Sequence, residues 1–374
     1  MEILTIIIIV VSTTFGVFFI SGCGAYLTHK KVITKQLTSQ LSSLTEHLFI
    51  PTLIFTNFLK SLTLEILHQY IPCIIITLLC FIFGYLLGTL SNKYWIKEKT
   101  LNSVIVLATA NPQTTNLQLQ LCYGLSKWFA MMTNQPEKQI EATLITTVII
   151  QTVIMTSIRW TIGRSLLQQQ EMELEMTNLS EPQSHCLMIP LSSQLTFKSE
   201  NDSQKKSFWN APLTAAVVSI ACICVPIVQT TILSNPLIYN IIFAPLQTIS
   251  KVTSPIMLLI LGSSLYEIYM GNSANFGKHQ SILYIVFNRI LLMPIIGMIM
   301  VIFILSQNII DDKCQLFMLF LTFCTPSSIN ILLLAKQYQQ SAEELVATVL
   351  LHSYLLAIIT LPLWMIIYLI VFIA

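Results

Sequence analysis

Polar positions in this chain fall in short clusters and apolar ones in long runs. That is neither the period-two alternation of a half-buried strand nor the one-sided stripe of a soluble helix. A helix needs about 20 apolar residues to cross a bilayer, and ten runs come close to that length. Five lie near 5–27, 39–60, 69–91, 102–125 and 141–163, and five near 211–233, 244–267, 281–306, 315–336 and 345–373. The stretch between the two sets is polar, contains Gln168-Gln169-Gln170, and loses its apolar period after Leu195; it predicts a partly disordered linker. The expected fold class is an all-α integral membrane protein of ten transmembrane helices. Residues 1–164 form a first five-helix repeat, 165–210 a polar cytoplasmic linker and 211–374 a second five-helix repeat.

Two of the runs carry residues foreign to an apolar helix. The fourth reads Ala110-Asn111-Pro112-Gln113-Thr114-Thr115-Asn116-Leu117, and the ninth Thr325-Pro326-Ser327-Ser328-Ile329-Asn330-Ile331. Both contain Pro-x-x-x-Asn followed by a branched aliphatic residue. Proline removes a backbone donor and clashes with the preceding turn, so both helices break there. At bilayer depth, freed backbone groups survive only against protein or an aqueous cavity. Matched breaks in two halves point to a carrier's binding site. An odd number of spans per half also sets the halves in opposite orientations, so the likeness predicts an inverted repeat. Other matches keep the same order: Pro51-Thr52-Leu53-Ile54 with Pro255-Ile256-Met257-Leu258, and Ala142-Thr143-Leu144 with Ala347-Thr348-Val349.

Composition agrees with this. The chain is 54% hydrophobic and 10% charged, with mean hydropathy +0.74, against roughly 25% charged in a soluble protein. The first run follows Met1-Glu2 without a basic leader and ends at Lys30 and Lys31. It reads as a first transmembrane helix and not as a cleaved signal. Fourteen of the 19 basic residues fall on the side of the loops after spans 1, 3, 5, 7 and 9, Arg159 and Arg289 among them. By the positive-inside rule that side is cytoplasmic and both termini are not. The sequons at Asn178 and Asn201 fall in the linker and on that side stay unmodified. Nine scattered cysteines without a Cys-x-x-Cys pair read as small buried hydrophobes, and no metal or cofactor is expected. A nucleic-acid partner is not expected, because the basic residues cluster in short loops, the pattern of membrane topology and not of a phosphate-binding face. Nor is an enzyme, for lack of any nucleotide-binding loop, H-E-x-x-H motif or partnered nucleophile.

Half-helix N-termini restarted after Pro112 and Pro326 present unpaired N–H groups and a positive dipole end, which suits an anion. The substrate-binding candidates are Asn111, Pro112, Thr115, Asn116 and Gln151 from the first half and Pro326, Ser327 and Asn330 from the second. Thr143, Thr147 and Gln151 form one polar stripe on span 5. Intramembrane ionisable residues are functional suspects, so His352 and Glu46 are candidates for a proton or secondary site. Glu46, Lys251 and Arg289 lie within about two turns of a surface, where snorkelling or an ion pair accounts for them. Gly84 and Gly88 have the small-xxx-small spacing of a close helix contact.

These residues resemble the auxin efflux carrier family. The resemblance is carried by Leu48-Phe49-Ile50-Pro51-Thr52-Leu53-Ile54-Phe55, Trp209-Asn210-Ala211-Pro212, Leu259-Ile260-Leu261-Gly262-Ser263-Ser264-Leu265, and the run from Thr325 to Tyr354. It is strongest for the PIN-LIKES branch and covers nearly the whole chain except the linker. It implies a carrier of small organic anions, auxin-like carboxylates, by alternating access at a crossing of helices 4 and 9. Helices 1, 2, 6 and 7 would form a scaffold, in the endoplasmic reticulum membrane in preference to the plasma membrane. Asn116 and Asn330 match the family's crossover asparagines, and Gln151 a helix-5 glutamine. Gln118 stands where the branch has proline, Pro112 where it has glycine, and His352 where it has tryptophan. The expected partners are the anion, the lipid bilayer and optionally a second copy of the chain. Two other readings remain open: a sodium-coupled symporter of the bile-acid type, and a membrane sensor for a lipid or sterol that transports nothing.

Overall fold

The computed structural model describes residues 3–180, 211–271, 279–310 and 312–372, and among these every regular element is helical. In chain order they are α1 (Ile3–His29), α2 (Lys35–Leu44), α3 (Ile50–Ser61), α4 (Ile71–Ser91), α5 (Asn102–Ala110), α6 (Asn116–Thr133), α7 (Glu137–Ile158) and α8 (Arg164–Ser180). After the undescribed 181–210 come α9 (Ala211–Cys224), α10 (Pro226–Ser234), the single turn α11 (Pro236–Ile238) and α12 (Ala244–Gly271). Then follow α13 (His279–Phe287), α14 (Met293–Ser306), α15 (Lys313–Cys324), α16 (Asn330–Tyr338) and α17 (Glu343–Phe372).

Among the described residues, six helical stretches are long and apolar enough to cross a membrane: Ile7–His29, Leu67–Ile96, Glu137–Leu174, Pro236–Gly271, Gln280–Ser306 and Glu343–Phe372. The helices that face outward carry large apolar side chains into what would be lipid, such as Ile75, Ile82 and Leu86 on α4 and Ile299, Ile302 and Phe303 on α14. In a bilayer such exposure costs nothing, because the surrounding solvent is itself apolar.

The remaining four predicted runs differ from simple spans, each for a physical reason. The run at 211–233 is a bent pair, α9 and α10, turning 100° at Val225, because Pro226 cannot continue the ladder. The Gln229 amide then donates 2.8 Å bonds to the carbonyls of Leu59 and Leu62, which close the end of α3. The run at 39–60 begins with a polar helix, α2, whose hydroxyls are satisfied within the protein: Thr38 Oγ1 meets Ser263 Oγ at 2.8 Å. The runs at 102–125 and 315–336 are each interrupted at their proline. The expected linker at 165–210 also begins differently. Its first part is α8, which continues from α7 and docks beside the start of α5: Gln170 accepts from Ser103 N at 2.7 Å and donates to the Lys99 carbonyl at 2.5 Å. Residues 181–210, including the Asn201 sequon, lie outside the described residues.

Five π-helical turns interrupt the α-helices, at 45–49, 92–96, 159–163, 239–243 and 288–292. Each adds a residue to a turn and re-aims the side chains after it. Three of them carry Glu46, Arg159 and Arg289. Close to the last, α4 lies against the end of α5, with a Cβ at Gly84 only 2.6 Å from Ala110 Cα and one at Gly88 2.8 Å from Val106 Cα. The close contact expected from the glycine spacing is therefore the wall that holds the first break in place. On the other side α6, α15 and α17 interlock through Phe129, Phe317, Phe320 and Tyr368, with ring centroids 5.1–5.2 Å apart.

Candidate functional site

The two proline breaks have the same layout. Five residues separate α5 from α6 (111–115) and five separate α15 from α16 (325–329), with proline second in each and asparagine opening the next helix. They meet each other. Pro112 and Ser327 form an antiparallel bridge, Gln113 N donates to the Pro326 carbonyl at 2.9 Å, and Ser328 N donates to the Asn111 carbonyl at 3.0 Å. A two-residue β-like crossing thus supplies at the core what each helix lost.

Several carbonyls at the ends of α5 and α15 are met by side chains from within the protein. Ser327 Oγ donates to Ala108 O at 2.6 Å. Arg289, wholly buried, donates through Nε to Thr325 O at 2.8 Å, through Nη2 to Thr322 O at 2.6 Å and through Nη1 to Thr109 O at 3.5 Å. One guanidinium, on a π turn, therefore neutralises the negative ends of two half-helices. This corrects the sequence expectation for Arg289: it neither snorkels nor pairs with a carboxylate among the described residues. The opposite ends differ. The amide N–H groups of Leu117, Gln118 and Asn330, in the first turns of α6 and α16, donate to no acceptor among the described residues. The crossing has its own cation and lacks an anion.

Beside the crossing lies a cavity of about 940 Å³, on the side where α2 begins and α12 ends. Its floor includes Gln113, Thr115, Ser328 and Asn330. Its walls include the hydroxyls of Thr38, Ser39 and Ser42 from α2, Ser264 from α12, and apolar Ile260, Ile268 and Leu332. Apolar walls with a few convergent polar groups are the make-up of a small-molecule site.

Of the residues singled out in the sequence, Thr115, Asn330 and Glu46 line this cavity. Thr115 Oγ1 also meets Thr152 Oγ1 at 3.2 Å. Asn111, Pro112, Pro326 and Ser327 build the crossing beneath it; Asn111 is fully buried, donates to Leu107 O at 3.1 Å, and leaves Oδ1 without a partner. Asn116 opens α6, and its side chain lies outside the described set. Gln151 is not on the cavity wall. It is fully buried and bridges α7 to α15 through Met318 O at 3.3 Å. With its amide oriented to satisfy both ends, Gln118 donates to Gln151 Oε1 at 3.0 Å and to Thr114 O at 2.9 Å, and accepts from Thr322 Oγ1 at 3.1 Å. This network ties the two broken helices together through α7. His352 is half-buried, with Nδ1 2.8 Å from Thr348 O one turn back on its own helix, away from the cavity. The residue missed altogether is Arg159, counted in the sequence as a cytoplasmic loop charge. It is 3% exposed and lines the cavity. Only the three-dimensional course of the π turn after α7 shows this.

A sequence profile describing membrane transport proteins matches residues 9–365. The chain belongs to this family, the auxin efflux carriers. No curated protein matches it individually. Membership makes this chain an integral, multi-pass membrane transport protein, and the family is one of transporters and not of enzymes. The family match runs across both breaks, so the crossing belongs to the part of the chain that the family shares.

Proposed function

We propose that this chain is a secondary carrier for a small amphipathic organic anion, an auxin-like carboxylate, and that it works by alternating access at the crossing of the two broken helices. The observation that carries the reading is the asymmetry of that crossing. Carbonyls at its ends are already held by Arg289 and Ser327, whereas N–H groups that open the two restarted helices lack acceptors among the described residues, that of Asn330, a residue of the cavity wall, among them. Half-helix N-termini at midplane depth attract anionic groups. The identical layout of the breaks supports ten spans in two inverted five-helix repeats, and a second pocket of about 280 Å³ at the opposite end of α3 and α12 marks where the other access path would open. The excess of basic residues on the cavity side survives removal of the two buried arginines. It supports a cytoplasmic cavity and non-cytoplasmic termini. The endoplasmic reticulum membrane and the PIN-LIKES branch rest on the resemblance alone.

Purified protein in liposomes tests the reading through flux of labelled carboxylates. Asn116→Ala and Asn330→Ala are each expected to abolish flux while the variants still purify as folded membrane proteins. Normal flux in both variants would overturn the crossing as the site. Replacing Na⁺ by choline is expected to leave flux unchanged, because the guanidinium of Arg289 already occupies the carbonyls that a sodium-coupled mechanism would use. Strict Na⁺ dependence would instead favour the symporter.

A further inference from the structure

Arg159 is not accounted for by the crossing. It sits on the π turn at 159–163, is 3% exposed and faces the cavity, and its Nε is buried with no partner. Among the described residues no hydrogen bond and no ion pair within 4 Å holds its guanidinium. Arg289, equally buried, spends its donors on three carbonyls; Arg159 spends none. Leaving a buried guanidinium unpaired is costly, and buried charges in proteins are therefore paired as a rule. A buried unpaired cation on a cavity wall marks a place whose counter-ion comes from outside. Two groups lie in its electrostatic reach without bonding to it: Glu46, which also lines the cavity, and the Tyr354 hydroxyl. Trp160 lines the cavity next to it, and Ile260 and Leu332 are on the wall. The chemistry gathered there is one cation, one aromatic face and an aliphatic surface.

We infer that Arg159 is the anion-receiving residue of this cavity. Its guanidinium takes the carboxylate of an amphipathic ligand whose apolar body lies along the wall, and Glu46 balances the charge while the cavity is empty. The planar fork of an arginine suits two carboxylate oxygens. The inference deepens the carrier reading and rests on it for the cavity being the binding site.

The test measures binding to full-length protein in nanodiscs, using indole-3-acetate, phenylacetate and octanoate, each against its own carboxamide. Wild type is expected to bind at least one acid about tenfold tighter than the matching amide. Arg159→Gln is expected to bring that acid to within about twofold of its amide, leaving the amide unchanged. Arg159→Lys restores part of the preference, and Glu46→Gln tightens the acid severalfold by removing the competing charge. Equal binding of every acid and amide by wild type overturns the inference, as does full preference retained in Arg159→Gln. If Arg159→Gln fails to fold, an unchanged acid-to-amide ratio in both Arg159→Lys and Glu46→Gln overturns it. The carrier reading fails separately: selective binding without flux in wild type sinks the carrier and leaves Arg159 in place. Flux lost in Asn330→Ala with preference intact in Arg159→Gln sinks Arg159 alone.

Discussion

Arg289 shows how one residue can fix a site without touching what binds there. Its three acceptors, Thr109 O, Thr322 O and Thr325 O, lie on both broken helices, so the side chain is a clamp between them. Arg289→Ala leaves Thr109 O and Thr325 O buried without that donor, and Thr322 O with only the Thr325 hydroxyl, each lost bond costing roughly 1–3 kcal/mol. With partial relaxation the total loss is expected to be on the order of 3–5 kcal/mol. Thermal melting in detergent should show it as a large drop, and Arg289→Lys, with a point charge in place of a fork, should recover only part. A melting point within a degree or two of wild type would show that the clamp carries no load. At this scale the sequence was informative where chemistry is local. Pro112, Pro326 and the asparagines after them announce a break wherever they occur in an apolar run. It was misleading where position depends on helix rotation: a π turn shifts the phase of every side chain beyond it, and nothing in the residues around Arg159 or Arg289 encodes that shift. Charges a few residues from a predicted helix end therefore read as surface, and both proved to be buried.

Among the elements, the wall behind the first break is the most constrained contact. Gly84 and Gly88 on α4 bring the backbone of α5 within van der Waals range of their own, and a Cβ at Gly84 would sit 2.6 Å from Ala110 Cα, one residue before the break. Gly84→Leu must push α5 away from α4. It is expected to cost about 1–3 kcal/mol through overpacking, and to lose flux by more than that cost implies, because the displaced residue opens the crossing. A flux loss no greater than the drop in folded protein would separate this contact from the site. A second test lies in α8. Gln170 satisfies Ser103 N and Lys99 O at the start of α5, so Gln170→Ala is expected to raise hydrogen exchange across the first turn of α5 and leave α15 untouched. The spans were legible in the sequence where apolar length alone decides, as in α1, α4 and α17. The bend between α9 and α10 was hidden because Pro226 interrupts a run that stays apolar on both sides. The helical start of the expected linker was hidden because only Leu166 and Leu167 at the beginning of α8 join the core, and the polar remainder, held by Gln170 to α5, carries no apolar stripe.

On the scale of the whole molecule, the orientation in the membrane decides which solution the cavity meets. The cavity is bounded by α2, the start of α3 and the end of α12, the smaller pocket by the end of α3 and the start of α12, so the two lie toward opposite ends of α3 and α12. If both termini are non-cytoplasmic, the larger cavity faces the cytoplasm in this conformation. Single cysteines at Ser42, on its wall, and at Gln247, in the smaller pocket, report the two sides once the exposed or half-buried Cys23, Cys222 and Cys224, and Cys186 of the linker, are replaced by serine or alanine. A membrane-impermeant maleimide added from the cytoplasmic side is expected to modify Ser42→Cys and spare Gln247→Cys; added from the other side, it should show the reverse preference. A transported carboxylate should protect Ser42→Cys while it occupies the cavity, and turnover should raise labelling at Gln247→Cys as the opposite path opens. Labelling of Ser42→Cys only from the non-cytoplasmic side would invert the orientation. Labelling that ignores substrate at both positions would remove the basis for alternating access, because a carrier cannot move its cargo without exchanging which pocket is open.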